Sequence, residues 1–360
     1  MAEAEQASVL VQRHGALGRL TLNRPAALHA LNLEMVSALT QALLAWRADD
    51  GVTAVVIDHA GPRGFCAGGD IAMLARSGAG DSGEARAFFH AEYRLNHLLH
   101  TYAKPVIAVM DGVTMGGGVG ISIPARFRIA TPRTLFAMPE TGIGLFPDVG
   151  GGWFLPRLKD QIGIWLALTG TRLKAADTMA AGLATHFLDD AALEGLIASL
   201  IRAAQDGDPV RALTYALAHL QGEAGPPAIL DEATRATIAR TFDKDSVEEV
   251  VAALAGEGTQ WSHAQLNLLA TKSPQTLKVA LRQMRLGARA QTFAEVMAME
   301  YRIGSRVVSL HDFQEGVRAV IIDKDNRPVW RPSSLSDVTD AYLDPIFAPL
   351  PPQEEWTPLP

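Results

Sequence analysis

The sequence predicts an α/β protein with a layered strand-and-helix core over residues 1–200. A helical region over 201–344 and a proline-rich tail over 345–360 complete the expected division. Three observations carry this. Strand-like and helix-like spacings alternate up to about residue 200, the pattern of layered α/β domains. From Leu193 onward the recurring spacing is helical. Hydrophobic residues make up 48% and charged residues 20%, so a chain of 360 residues can bury a sizeable core.

In chain order, Ser8–Gln12 and Leu17–Leu22 flank His14-Gly15 and read as a β-hairpin, which Asn23-Arg24-Pro25 stops. Leu33–Asp49 has apolar residues at helical spacing and ends in acids before Gly51. Ala54–Ile57 is a short buried strand, Gly64–Asp70 a glycine-rich loop, and Gly78–Gly83 a polar, mobile stretch. Glu84–Thr101 reads as a helix and Val106–Met110 as a strand. Gly112–Gly120 is a second glycine-rich turn running into a helix, followed by short strands at Phe127–Ala130 and Leu135–Ala137. In the helical part, Gly222–Pro227 and Gly256–Gly258 read as loops. A helix is expected around Phe313–Ile321 and a turn at Asp323–Asn326. The tail Pro345–Pro360 is expected to be poorly ordered or draped on the surface.

The formal net charge is -7, and no basic cluster advertises a nucleic-acid surface. The lone Cys66 excludes an intrachain disulfide and a cysteine-only metal site. No histidine shows a metal-ligand spacing such as His-Glu-x-x-His. No apolar run is long enough to span a membrane. Met1–Gln6 has no basic segment and carries two glutamates, which sets the expectation of no leader and a cytoplasmic enzyme.

Three segments can carry chemistry. In Gly64–Ile71, the small residues Ala67, Gly68 and Gly69 let a ligand approach backbone N–H groups closely. A tight turn needing glycine explains the same residues. In Asp111–Gly120, Gly116-Gly117-Gly118 open a helix, where exposed N–H groups favour negative charge. Close helix packing is the competing explanation. In Phe136–Gly152, Glu140 and Asp148 stand in an apolar, glycine-rich stretch. Apolar surroundings raise a carboxyl pKa and suit it to acid–base work. Helix capping or surface exposure would also account for each acid.

In this order and spacing, the three segments resemble the crotonase (enoyl-CoA hydratase/isomerase) superfamily. The likeness begins at Leu20–Pro25 with Ala30-Leu31-Asn32 and runs to about Trp330, nearly the whole chain. It implies a spiral of repeated ββα units followed by a helical region. It implies that Gly69 and Gly117 N–H groups form an oxyanion hole for a thioester carbonyl. It also implies that Ala67, Gly68, Asp70 and Ile71 lie against CoA, with Gly116 beside the substrate.

The acids distinguish the branches. The hydratase position that carries a first glutamate matches Gly120, which cannot move protons, and the second matches Glu140. Met138–Leu158, with Asp148 inside it, and His311–Trp330 are similar to the 3-hydroxyisobutyryl-CoA hydrolases. That branch implies a hydrolase of a short β-hydroxyacyl-CoA in valine breakdown. Glu140 would be its base or nucleophile, Asp148 would orient the substrate, and Glu92 would shape its polar end. A solvated helix face is the bland account of Glu92. Many relatives carry a lysine where this chain has Ala26. Arg24 is then a candidate for the CoA phosphates, or a residue of the turn.

The resemblance implies no cofactor beyond the CoA of the substrate. It implies a small-molecule acyl-CoA partner and no nucleic acid or membrane, and leaves dimer, trimer and hexamer open. Two other functions stay in view: an enoyl-CoA hydratase or isomerase, and a non-catalytic CoA-binding protein.

Overall fold

A computed structural model describes residues 7–360. Met1–Gln6, on which the expectation of no leader rested, lie outside the described residues. The chain forms two compact units that interleave along the sequence. The first comprises Met1–Gly69, Leu95–Phe136 and Leu173–Ala228. The second comprises Asp70–Arg94, Ala137–Arg172 and Ile229–Pro360. These boundaries fall elsewhere than the sequential divisions at 200 and 344.

The first unit holds the strands β1 (Val9–His14), β2 (Leu17–Leu22), β3 (Ala54–His59), β4 (Val106–Met110), β5 (Val113–Met115), β6 (Phe127–Ala130), β7 (Leu135–Ala137), β8 (Leu173–Lys174) and β9 (His186–Phe187). A six-stranded sheet runs β1-β2-β3-β4-β6-β9 and a three-stranded sheet runs β5-β7-β8. The β1–β2 hairpin is antiparallel and every later pairing in the large sheet is parallel. Consecutive strands alternate between the sheets: β4 and β6 join the large one, β5 and β7 the small one.

The sequence explains the pairing. Ala54-Val55-Val56-Ile57 and Val106–Met110 are unbroken apolar runs, buried throughout, as expected of parallel strands covered on both faces. On one side, Leu17, Val56, Ile107 and Ile129 pack with Leu196, Leu200, Leu213 and Leu217 of the helices Asp190–Ala204 and Pro209–Leu220. The helix Leu33–Arg47 starts where the Asn32 side chain accepts from Met35 N–H, which satisfies an otherwise orphaned donor.

The second unit is helical. Its principal helices are Pro274–Arg289 and Phe293–Val307, each capped by a hydroxyl, Ser273 and Thr292. Three expectations change here. Gly78–Gly83 is tied down: Ser82 is buried and its hydroxyl lies 2.7 Å from that of Ser309. Gly256 is helical, and only Gly258 ends its helix, in the left-handed conformation. The tail is also anchored, because an indole outweighs the prolines around it. Trp356 is buried and its Nε1–H donates to the His90 carbonyl at 3.2 Å.

Candidate active site

In the first unit, the two glycine-rich loops are stitched together. Cys66 N–H donates to the Val113 carbonyl and Met115 N–H to the Cys66 carbonyl, at 2.9 and 3.0 Å. Ala67 N–H donates to Leu28 O, and Gly68 O accepts from Leu31 N–H. Gly68 has φ +126° and Gly116 φ +46°, both in the region that favours glycine. A Cβ added at Gly68 would lie 4.0 Å from the Gly117 nitrogen, so the loops run close together. Among the described residues, the Gly69 and Gly117 N–H groups donate to no protein acceptor. Gly117 is buried and Gly69 half-buried.

Arg24 works within its own turn: Nη1 donates to the Ala30 carbonyl at 2.9 Å, and its backbone N–H to His29 Nδ1 at 3.0 Å. Gly120 is buried inside the short helix Gly117–Ser122.

In the second unit, the helix Gly83–His100 delivers Glu92 and Tyr93, a 3-10 turn begins at Glu140, and the Pro147–Gly152 turn carries Asp148. Glu92, Tyr93, Glu140 and Asp148 are all buried. The Tyr93 hydroxyl donates to Asp148 Oδ2 at 2.9 Å. Among the described residues, Glu92 Oε1 and Glu140 Oε2 are buried without a hydrogen-bond partner. Asp70 caps the helix Ile71–Gly78 by accepting from Met73 N–H at 3.1 Å, and Ile71 follows, half-buried.

Burial sets the electrostatics. It raises the Asp148 pKa to about 7, against the opposing hydrogen bonds from Tyr93 and a backbone N–H. Burial first, and the Asp148 charge second, hold the carboxyls of Glu92 and Glu140 well above their ordinary range. Three carboxyls that resist ionisation together can keep or pass a proton near neutral pH. Unpartnered buried oxygens are costly and are the usual place for a substrate or water to bind.

The family model described as enoyl-CoA hydratase/isomerase matches residues 17–347. The chain belongs to the enoyl-CoA hydratase/isomerase family. A relative from Danio rerio, a mitochondrial 3-hydroxyisobutyryl-CoA hydrolase, is 44% identical over 97% of this chain and 92% of its own length. The Homo sapiens protein of the same name is 41% identical, over 95% and 89%. Among solved structures, a carnitinyl-CoA dehydratase from Mycobacterium thermoresistibile superposes with TM-score 0.89 at 37% identity, covering 97% of this chain and 98% of its own. An enoyl-CoA hydratase from Rhodobacter sphaeroides gives 0.87 at 39%, covering 97% and 99%. The crotonase fold expected from the motifs is therefore the fold of this chain. The expected cytoplasmic location is corrected, because these hydrolase relatives are named as mitochondrial. Neither an acidic first segment nor the want of a long apolar run fixes where an enzyme resides.

The predicted site residues divide between the units. Arg24, Ala67, Gly68, Gly69, Gly116 and Gly117 lie in the first; Asp70, Ile71, Glu92, Glu140 and Asp148 lie in the second. Within the second unit, Glu92, Glu140 and Asp148 come into electrostatic contact, while Asp70 is occupied as a cap. Reading the sequence missed Tyr93, Glu300 and Gln283. Glu300 did leave a signal: it falls on the apolar stripe Val296, Met297, Ile303, Gly304 and Val307 of its helix.

Proposed function

We propose that this enzyme hydrolyses 3-hydroxyisobutyryl-CoA to 3-hydroxyisobutyrate and CoA, a step of valine breakdown. The observation that carries the reading is the set of acids. By the motif resemblance, buried Gly120 stands where a hydratase needs a carboxylate, and Asp148 is buried within the electrostatic reach of Glu140. The relatives named above as 3-hydroxyisobutyryl-CoA hydrolases support the same substrate. CoA enters as part of the substrate, and the reaction calls for no other cofactor.

In this mechanism, the Gly69 and Gly117 N–H groups donate to the thioester carbonyl and stabilise the charge that develops on its oxygen. Loss of one such donor costs about 3–4 kcal/mol. Glu140 takes a proton from water as the water oxygen bonds to the carbonyl carbon. The carbon–sulfur bond then breaks and the CoA thiolate takes up the proton. In the variant route Glu140 itself attacks, CoA leaves, and water opens the resulting anhydride. Single turnover in heavy-oxygen water tests the variant route: label entering Glu140 establishes the anhydride. Asp148 and Glu92 read the substrate hydroxyl, and such a site rejects the des-hydroxy analogue because its own polar groups would be left unpaired.

The test is thiol release from 3-hydroxyisobutyryl-CoA beside isobutyryl- and crotonyl-CoA. Release is expected from the hydroxyacyl thioester, with losses of at least about 100-fold in Glu140→Ala and Asp148→Ala. A second reading, hydration or dehydration of an acyl-CoA, has the two solved structures in its favour. Hydration of crotonyl-CoA without thiol release would establish it and remove the hydrolase.

A further inference from the structure

Glu300 has no part in the chemistry just described, yet it is a fully buried carboxyl. Its Oε2 accepts from Gly150 N–H at 2.8 Å, and its Oε1 from Gly152 N–H at 2.8 Å and Gln283 Nε2 at 3.0 Å. The same Gln283 nitrogen donates to the Pro147 carbonyl at 2.7 Å. Glu300 and Gln283 thus hold Pro147, Gly150 and Gly152, which bracket Asp148 on both sides. The turn needs holding. Val149 has φ +51°, which a β-branched residue adopts only under constraint, and Gly150 follows at φ +93°. Tyr93 fixes only the far end, at the Asp148 carboxyl itself.

The chemistry of the holder is specific. Among the described residues, the groups that hydrogen-bond the Glu300 oxygens are all N–H donors. The Glu300 carboxyl group accepts from all three, and burial, with the Asp148 charge, raises its pKa to about 8 against the pull of these donors. A primary amide offers one oxygen and turns an NH2 toward a backbone donor, so Glu300→Gln keeps the shape and breaks part of the clamp.

We propose that Glu300 is a positioning residue for hydrolysis, its carboxyl group clamping the Pro147–Gly152 turn so that Asp148 meets the substrate in one orientation. This rests on the assignment of Asp148 to the reaction. Misplacing a reacting group by about 1 Å can cost on the order of 100-fold in rate. Glu300→Gln is therefore expected to lower kcat about 10- to 100-fold while KM stays within about threefold. In an Asp148→Asn background the same substitution is expected to have almost no further effect, because the residue it positions has lost its function.

The experiment is a double-mutant cycle of Glu300→Gln and Asp148→Asn in the full chain, followed by thiol release under saturating 3-hydroxyisobutyryl-CoA, with circular dichroism as a check of folding. Non-additive losses confined to kcat support the clamp. Unchanged kcat in Glu300→Gln, or a loss repeated in full in the Asp148→Asn background, overturns it. Full activity in Asp148→Asn alone removes the role of Asp148 first, and the clamp with it. If Glu300→Gln fails to fold, Gln283→Met replaces it in the cycle, with the same two outcomes deciding.

Discussion

Folding carries the Asp148 carboxyl out of water into the company of Glu92, Tyr93 and Glu140, and its pKa rises from 3.8 to about 7. The native state then holds a proton that the unfolded chain releases. Below about pH 4 both states are protonated and the residue costs nothing; between about pH 4 and pH 7 stability falls as pH rises. Asp148→Asn has no proton to lose. It is expected to gain stability over the parent as pH rises through this window, by at most about 4 kcal/mol at 1.36 kcal/mol per unit. Urea unfolding across that range measures it, and a difference that does not change with pH would sink the idea. The same charge acts on Glu140, whose pKa is raised by burial and then by Asp148. The proposed mechanism needs Glu140 ionised, so kcat/KM should climb with pH and reach half its plateau well above the ordinary carboxylate range. Removing the Asp148 charge favours ionised Glu140. The midpoint in Asp148→Asn is therefore expected at lower pH, even as the plateau drops. A midpoint that stays in place would separate the two acids electrostatically.

The turn Pro147–Gly152 shows what can and cannot be read from a segment. Gly150 combines φ +93° with close packing, since an added Cβ would lie 2.8 Å from the Phe293 ring. Gly150→Ala is expected to cost about 1–3 kcal/mol from backbone strain alone, with further loss from the contact. Thermal unfolding measures it; an unchanged Tm would mean that the turn relaxes freely. The glycine run and the acid were legible in the sequence because both are local. So were the hairpin, β3, β4, β6 and β7, each a run long or apolar enough to show its period. β8 and β9, of two residues each, hold only one period of alternation and were not, and β5 lies within the glycine-rich turn Gly112–Gly120, which hid it. Their pairing is decided by partners elsewhere in the chain, such as Lys174 opposite Leu135. Glu300 lies 150 residues from the Gly150 N–H it binds. Only its misfit in an apolar stripe hinted at a buried role, and nothing local named its partner.

Across the whole molecule, the last ten residues act on the helices that carry the acid cluster. Trp356 donates to the His90 carbonyl, two residues before Glu92. Arg86 pairs with Glu354, and Arg94 Nε donates to the Thr357 carbonyl at 2.8 Å, so the tail grips Gly83–His100 before and after Glu92 and Tyr93. Arg302 pairs with Glu355 at 2.9 Å, which ties in the helix bearing Glu300. The ion pairs are partly exposed and worth little each, about 0–1 kcal/mol. The indole carries the attachment: Trp356→Ala should cost about 3–5 kcal/mol, as for other buried aromatics. Trp356→Phe keeps most of the packing and loses one hydrogen bond, about 1 kcal/mol. If the tail braces the acid-bearing helices, Trp356→Ala, measured below its own Tm, lowers kcat for thiol release and Trp356→Phe nearly preserves it. A Trp356→Ala enzyme that loses Tm but keeps full kcat would make the tail a contributor to stability alone, because the positions of Glu92, Tyr93 and Glu300 would then be set without it.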